Sequence, residues 1–241
     1  MTPVSTPLVE MEDVVKEGVG APLRIRRLRL AEGDRLAVGG LSPAAAEMMV
    51  LLISGAALPD HGAVRIEGQD TRSIATDAQW LAALDRFGIV TRRAVLLEAL
   101  SVASNLALPL TLAIDPLAPD VLAAVEALSD RVGLARARLS VPASALTPDE
   151  RLRVHLARAL ALTPRVLLLE QPMADVSDGR TRAALGAALR AAAGDTGLGW
   201  LSLDDDEAFA VASGARRLRL DPETGDLSDT GFWKRLWRSR P

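Results

Sequence analysis

The sequence predicts an α/β protein: a parallel sheet covered by helices, preceded by antiparallel strands near the amino terminus. Three observations carry this reading. Strand-like and helix-like stretches alternate through the last third of the chain. A short apolar strand ending in Gly39 and Gly40 leads straight into an apolar helix, the opening of a β-α unit. Hydrophobic residues make up 49% of the 241, ample for one large core.

Taken in order, residues 8–15 and 23–30 are apolar or alternating between Gly and Pro punctuation, predicting two strands and a hairpin around residues 18–22. Residues 35–40 form a buried strand, residues 44–54 a helix, and Gly55 with Pro59-Asp60-His61-Gly62 a closing turn before a strand at 63–66. The middle, 77–145, reads as mostly helical, with a short strand at 88–90 and a loop at Pro116 and Pro119. Beyond it come a helix at 149–161, a strand at 166–169, a helix at 179–193, a strand at 199–203, a helix at 205–213 and a strand at 216–220. Leu201 and Leu203 are two apart and are expected on one face of their strand.

Composition excludes several functions. With 28 Lys+Arg against 31 Asp+Glu, the net charge of -3 argues against a phosphate-neutralising nucleic-acid binder. The absence of cysteine excludes disulfides, thiolate metal sites and cysteine nucleophiles, and two histidines, His61 and His155, leave little histidine chemistry. The start MTPVSTPLVE has neither a basic region nor an apolar block, so a cytoplasmic location is expected. Residues 94–114 are long and apolar, yet Glu98, Asn105 and Pro109 argue against a spanning helix.

Five blocks, read in order, resemble the nucleotide-binding subunit of ATP-binding cassette (ABC) transporters across nearly the whole chain. Residues 36–47 (LAVGGLSPAAAE) with Gly55 and residues 59–62 (PDHG) sit where that family has its phosphate loop and "PDSG" turn. Residues 86–92 (RFGIVTR) resemble the strand before the glutamine loop, and Ser101-Val102 with residues 105–110 (NLALPL) resemble "TVxENVALPL". Residues 146–160 (LTPDERLRVHLARAL) match the signature helix "LSGGQxQRVxIARAL", and residues 166–172 (VLLLEQP) match "LLLLDEP". The resemblance implies a P-loop NTPase-like core at about 1–75 and 146–225, an inserted helical subdomain at about 76–145, and an aromatic and basic tail at 226–241.

The scaffold letters survive and the chemical letters do not. A phosphate loop needs glycines whose amides cradle phosphates, a lysine for the outer phosphates and a hydroxyl for Mg²⁺. After Gly40, the second glycine is Ala45, the lysine Ala46 and the hydroxyl Glu47, while Pro43 removes an amide donor. The metal-binding Asp and catalytic Glu correspond to Glu170 and Gln171, and glutamine cannot take a proton. The glutamine of the glutamine loop corresponds to Arg92 and the switch histidine to Leu203; the last Asp of "SALD" corresponds to Ser177. The signature loop becomes Thr147-Pro148-Asp149-Glu150, a capping box with proline at the first helical position. Ser42-Pro43 followed by three alanines is likewise an ordinary helix start, so the first helix is expected to begin near Pro43, with backbone and Glu47 partly filling the phosphate hole.

A micromolar nucleotide site is worth about 8 kcal/mol, and charge-assisted hydrogen bonds about 1.5 to 3 kcal/mol each. Losing the lysine, loop donors and hydroxyl, and adding Glu47, moves affinity to millimolar or weaker. The family sandwiches each ATP between one subunit's phosphate loop and the other's signature loop, and this chain alters both. The resemblance therefore implies a pseudo-ATPase with no ATP, Mg or other cofactor, docking a membrane permease beside residues 92–105 from the cytoplasmic face, as a homodimer or with an intact ABC subunit. Two other readings stand beside it: an ATPase using unconventional residues, which would bind ATP and Mg, and a permease-free interaction module.

Individual residues carry paired readings. Arg92 is an anion contact or a solvated charge. Glu170, with Glu47 and Asp204, is a site for a bare divalent cation or a set of solvated carboxylates, and no metal is expected. His155 reads as a core or subdomain contact and His61 as an exposed turn residue. The tail at 232–240, with Trp233 and Trp237 spaced i, i+4, is an interfacial anchor or a helix packed on the body.

Overall fold

The computed structural model describes residues 6–18, 20–194 and 196–230. The tail at 232–240 lies outside them. The chain opens with β1 (Val9–Lys16), β2 (Leu23–Leu30) and β3 (Arg35–Gly39), followed by α1 (Pro43–Ile53), β4 (His61–Ile66), β5 (Gln69–Asp70), α2 (Asp77–Leu84) and β6 (Phe87–Val90). Then come α3 (Val102–Ala107), α4 (Pro119–Arg131), α5 (Pro148–Leu160), β7 (Val166–Glu170), α6 (Gly179–Ala193), β8 (Gly199–Leu203), α7 (Glu207–Ser213), β9 (Arg216–Leu220) and β10 (Leu227–Asp229).

Two sheets enclose α1. The amino-terminal sheet is antiparallel, in the order β2-β1-β4-β5, with Val9 opposite Leu30 and Val14 opposite Ile25 across the expected hairpin. Strand β4 starts two residues earlier than the sequence suggested, so His61 is an exposed strand residue opposite Val15 and not part of the turn. The central sheet runs β10-β9-β3-β8-β7-β6, parallel except for β10. It holds Val38, Leu168, Leu201 and Leu203 together, as a single α/β core requires.

Strand periodicity divides the apolar interior. Val166, Leu168, Leu201 and Leu203 face α1 and the antiparallel sheet, whereas Leu167, Leu169 and Trp200 face α5, α6 and α7. Both layers of helices are therefore anchored by alternate residues of the same strands. The segment between β6 and α5 adds α3 and α4, which pack on α5.

Two boundaries shift. Phe87–Val90, inside the segment expected as a helical insertion, is the edge strand of the central sheet beside β7. Leu227–Asp229, expected to begin the tail, pairs with β9 in the same sheet.

Candidate functional site

The amino terminus of α1 is built as a closed helix start. Ser42 is the N-cap: its hydroxyl accepts from the Ala45 amide at 3.2 Å, and its carbonyl accepts from the Ala46 amide at 2.9 Å. Pro43, at the first helical position, has no amide hydrogen. The Gly40 amide donates to Asp205 Oδ1 at 3.0 Å, and the Arg219 guanidinium lies 3.4 Å from the same oxygen. A Cβ on Gly39 would stand 2.3 Å from that oxygen, so only glycine allows this carboxylate so close. Ala46 is fully buried in the apolar layer between the sheets.

Glu47 does not fill the loop. Its carboxylate pairs with Arg93 at 2.6 Å, because the chain leaving β6 brings a cation beside the second turn of α1. No local pattern of residues signals this pairing, which joins residues far apart in the chain.

Strand β7 ends at Glu170, 5% exposed, whose Oε2 has no hydrogen-bond partner among the described residues. Burial, and then the nearby Glu47 charge, raises its carboxyl above the usual range. Gln171 follows in a left-handed conformation (φ 43°), its amide donating to the Leu203 carbonyl at 3.1 Å and its side-chain oxygen 3.5 Å from Arg92 Nη1. The Leu203 side chain turns the other way, into the core, so only its backbone carbonyl reaches the site. Asp204 spends its oxygens on the Met173 amide (3.1 Å) and the Asp206 amide (2.8 Å), and burial raises its carboxyl. Glu170, Glu47 and Asp204 do not converge: among the described residues no three His, Cys, Asp or Glu side chains are placed to hold a metal ion.

The start of α5 is equally self-contained. Pro148 is its first residue, the Thr147 amide donates to Glu150 Oε2 at 3.0 Å, and the Thr147 hydroxyl bonds Asp149 Oδ1 at 2.7 Å. Glu150 also pairs with Arg138 at 2.8 Å. The helix end is covered by its own carboxylates.

Two concavities flank α5. One, of about 380 Å³, lies among Arg92, Arg151, His155, Glu170 and Gln171. The other, of about 430 Å³, is an apolar groove bounded by Leu84, Phe87, Ile89, Leu108, Pro109 and Leu162. His155 borders both, and burial, reinforced by Arg158 and Arg151, pushes its pKa down to about 4. The irregular chain at 91–101 is held by fully buried Asn105, whose side chain accepts from the Leu97 amide (2.8 Å) and donates to the Leu97 and Ser101 carbonyls (3.0 Å each). Leu96 within it is buried, whereas Val95 and Leu97 are 70% and 47% exposed.

A parallel sheet with an antiparallel arm, a strand-to-helix loop at Gly40 and an α5 start facing the end of β7 define an ABC ATPase cassette fold. The chain belongs to the ABC transporter family, whose sequence model matches residues 23–174. It is similar to the methionine import ATP-binding protein MetN of Brucella abortus (strain 2308), 34% identical over 182 residues, covering 75% of this chain and 48% of that protein. It is also similar to the sulfate/thiosulfate import ATP-binding protein CysA of Gloeobacter violaceus, 38% identical over 165 residues, covering 68% of this chain and 45% of that one. The chain thus spans about half the length of these curated relatives. Among solved structures, cbiO1 of Clostridium perfringens superposes with a TM-score of 0.77 at 16% identity, covering 97% of this chain and 92% of that one. The ADP- and phosphate-bound dimer of MJ0796 gives 0.73 at 20% identity, covering 92% and 98%. No helix among the described residues is long and apolar enough to cross a membrane.

Proposed function

We propose that this chain is a cassette subunit that docks on a membrane permease from the cytoplasmic face and does not hydrolyse ATP itself, serving a structural or regulatory role. The observation that carries the reading is the internal use of the loop amides: Gly40 is bonded to Asp205, Ala45 and Ala46 to Ser42, and Pro43 has no amide hydrogen. These residues do not fit a nucleotide's phosphates. Each incoming phosphate oxygen would have to displace a bond already made, without a lysine to offset the loss.

The apolar groove beside β6, with exposed Val95 and Leu97 on the neighbouring segment, supports docking of an apolar helix from a permease. The similar proteins are named as import ATP-binding proteins, which favours an importer as the assembly. A second copy of this chain, or an intact cassette, completes the proposed pair.

The reading is tested by co-expressing the full chain with its permease, purifying the complex and measuring phosphate release. The expected result is co-purification with the membrane component and no Mg-ATP turnover from complexes containing only this cassette. Turnover in those complexes at the rate of ordinary cassettes overturns the pseudo-ATPase reading, and failure to co-purify overturns docking.

A further inference from the structure

The apolar groove beside β6 carries a feature that docking of a purely apolar helix leaves unused. Apart from His155 and Arg158, every residue lining it is apolar or glycine, so the groove holds two basic side chains and no acid. The two stand three positions apart on α5 and share one face of that helix.

Neither base has an acidic partner. Arg158 makes one side-chain hydrogen bond, to the Val95 carbonyl at 2.9 Å, and no carboxylate pairs with it among the described residues, so most of its guanidinium donors stay uncommitted. Burial, unopposed by any acid, lowers its pKa. The neighbouring cations are matched already: Arg151 bonds both oxygens of Glu98 at 2.6 and 3.0 Å, and Arg93 pairs with Glu47 at 2.6 Å. His155 is half-buried, its ring forms no hydrogen bond among the described residues, and neither nitrogen is sealed from solvent. Charged groups surround it from three elements: Arg151 and Arg158 on its own helix, Arg92 from the chain after β6, and Glu170 and Asp175 from the end of β7 and the loop beyond, across the other concavity. The walls contributed by α2, β6 and Leu108-Pro109 bring none. Burial and the two arginines of α5 prevail, which keeps the ring neutral in the free chain.

An apolar occupant would bury Arg158 further without compensation, whereas a single carboxylate would satisfy both bases. We propose that the occupant of this groove is an amphipathic helix with one Asp or Glu in its apolar stripe, the carboxylate meeting His155 and Arg158, and that His155 takes up a proton from solvent as the helix docks. This rests on the reading of the groove as a docking surface, and it specifies the partner's chemistry and the regulation of docking by pH. The sign follows from charge. Free His155 has a pKa of about 4 and is neutral at pH 7. A carboxylate beside it favours the imidazolium, so the complex holds a proton that the free chain lacks, and affinity rises as pH falls from neutral toward 5.

The test is fluorescence anisotropy on the full chain with labelled alanine-rich helical peptides of about 16 residues. Leucines spaced i, i+3, i+4 and i+7 form the stripe, and each stripe position in turn is set to Glu, Gln or Lys. Saturable binding of at least one Glu peptide is expected at pH 7, about tenfold or more tighter than its Gln and Lys counterparts, tightening about threefold or more between pH 7.5 and 5.5. His155→Gln is expected to flatten that pH profile with circular dichroism unchanged; comparison of the three peptides on the parent chain carries the test if the variant fails to fold. No saturable binding of any Glu peptide up to about 1 mM overturns the proposal. So does equal affinity for Glu and Gln peptides, or an unflattened profile in folded His155→Gln protein. Failure of permease docking looks different: binding of a Glu peptide without recovery of a permease supports the acidic helix and removes the permease as its source.

Discussion

The Gly40 amide and the Asp205 carboxylate meet at 3.0 Å across 165 positions of chain, placing a side-chain anion on the first amide of the strand-to-helix loop. The sequence showed which residues the loop lacks, and this contact shows what the remaining backbone donor does instead. Its consequence is measurable. Mg-ATP at a concentration equal to a Kd of about 1 mM stabilises by only about 0.4 kcal/mol, a melting shift of about 1–2 °C for a chain this long. Asp205→Ala releases the amide but leaves Ala46 in the lysine position, so it is expected to lower stability slightly without creating a larger ATP shift. A saturable shift of several degrees at micromolar ATP, in either protein, contradicts the pseudo-ATPase reading.

Docking now has better probes than the sequence offered. Leu96, in the segment the resemblance places at the permease, is 2% exposed in the core beneath the surface. Leu96→Asp is expected to unfold the chain, since a carboxylate would be buried without a partner. Val95→Asp and Leu97→Asp alter exposed side chains and should change stability by no more than about 0.5 kcal/mol. Both are expected to reduce recovery of the permease in a pull-down, with circular dichroism unchanged. Unaltered recovery in the double variant argues that the groove is not the docking surface.

His155 makes stability depend on pH. Its folded pKa, about 4, lies below the reference 6.5, so between these values the unfolded chain binds a proton that the folded chain does not. The stabilisation linked to a neutral His155 is fully present above about pH 6.5 and lost as pH falls toward 4, on the order of a few kcal/mol in total. Denaturant titrations of His155→Gln across pH 4–7 should show a shallower loss than the parent. Parallel curves for the two proteins would remove His155 as the cause.

Gly186 inverts the usual helix rule. The stretch 183–193 reads as plain alanine-rich helix, where replacing glycine by alanine gains about 1 kcal/mol. In the fold α6 lies against α7, and a Cβ on Gly186 would stand 2.4 Å from the Phe209 carbonyl oxygen. Gly186→Ala is expected to destabilise by about 1–3 kcal/mol net, because rigid backbone must move. Gly179→Ala, where a Cβ meets nothing within 4 Å, is the neutral control. Thermal melts of the pair that reverse this order would refute the close packing of α6 on α7.

Local pattern was enough for much of this protein. The pattern in residues 8–15 and 23–30 specified the hairpin, and the apolar runs of β3, β7 and β8 specified buried parallel strands, because a strand covered on both sides must be apolar throughout. Ser42-Pro43 and Thr147-Pro148 announced where α1 and α5 begin, since an N-cap and a first-position proline act within one turn. Tertiary structure alone decided which partner each residue found. Leu227–Asp229 becomes a strand only because β9 offers it an edge, and three residues carry too little pattern to reveal that alone. Glu47 finds Arg93, Gly40 finds Asp205, and Glu170 finds no donor for one oxygen. These outcomes depend on the distance between side chains brought together by the sheet order, and separation in space at a crossover is not encoded in the spacing of residues along the chain.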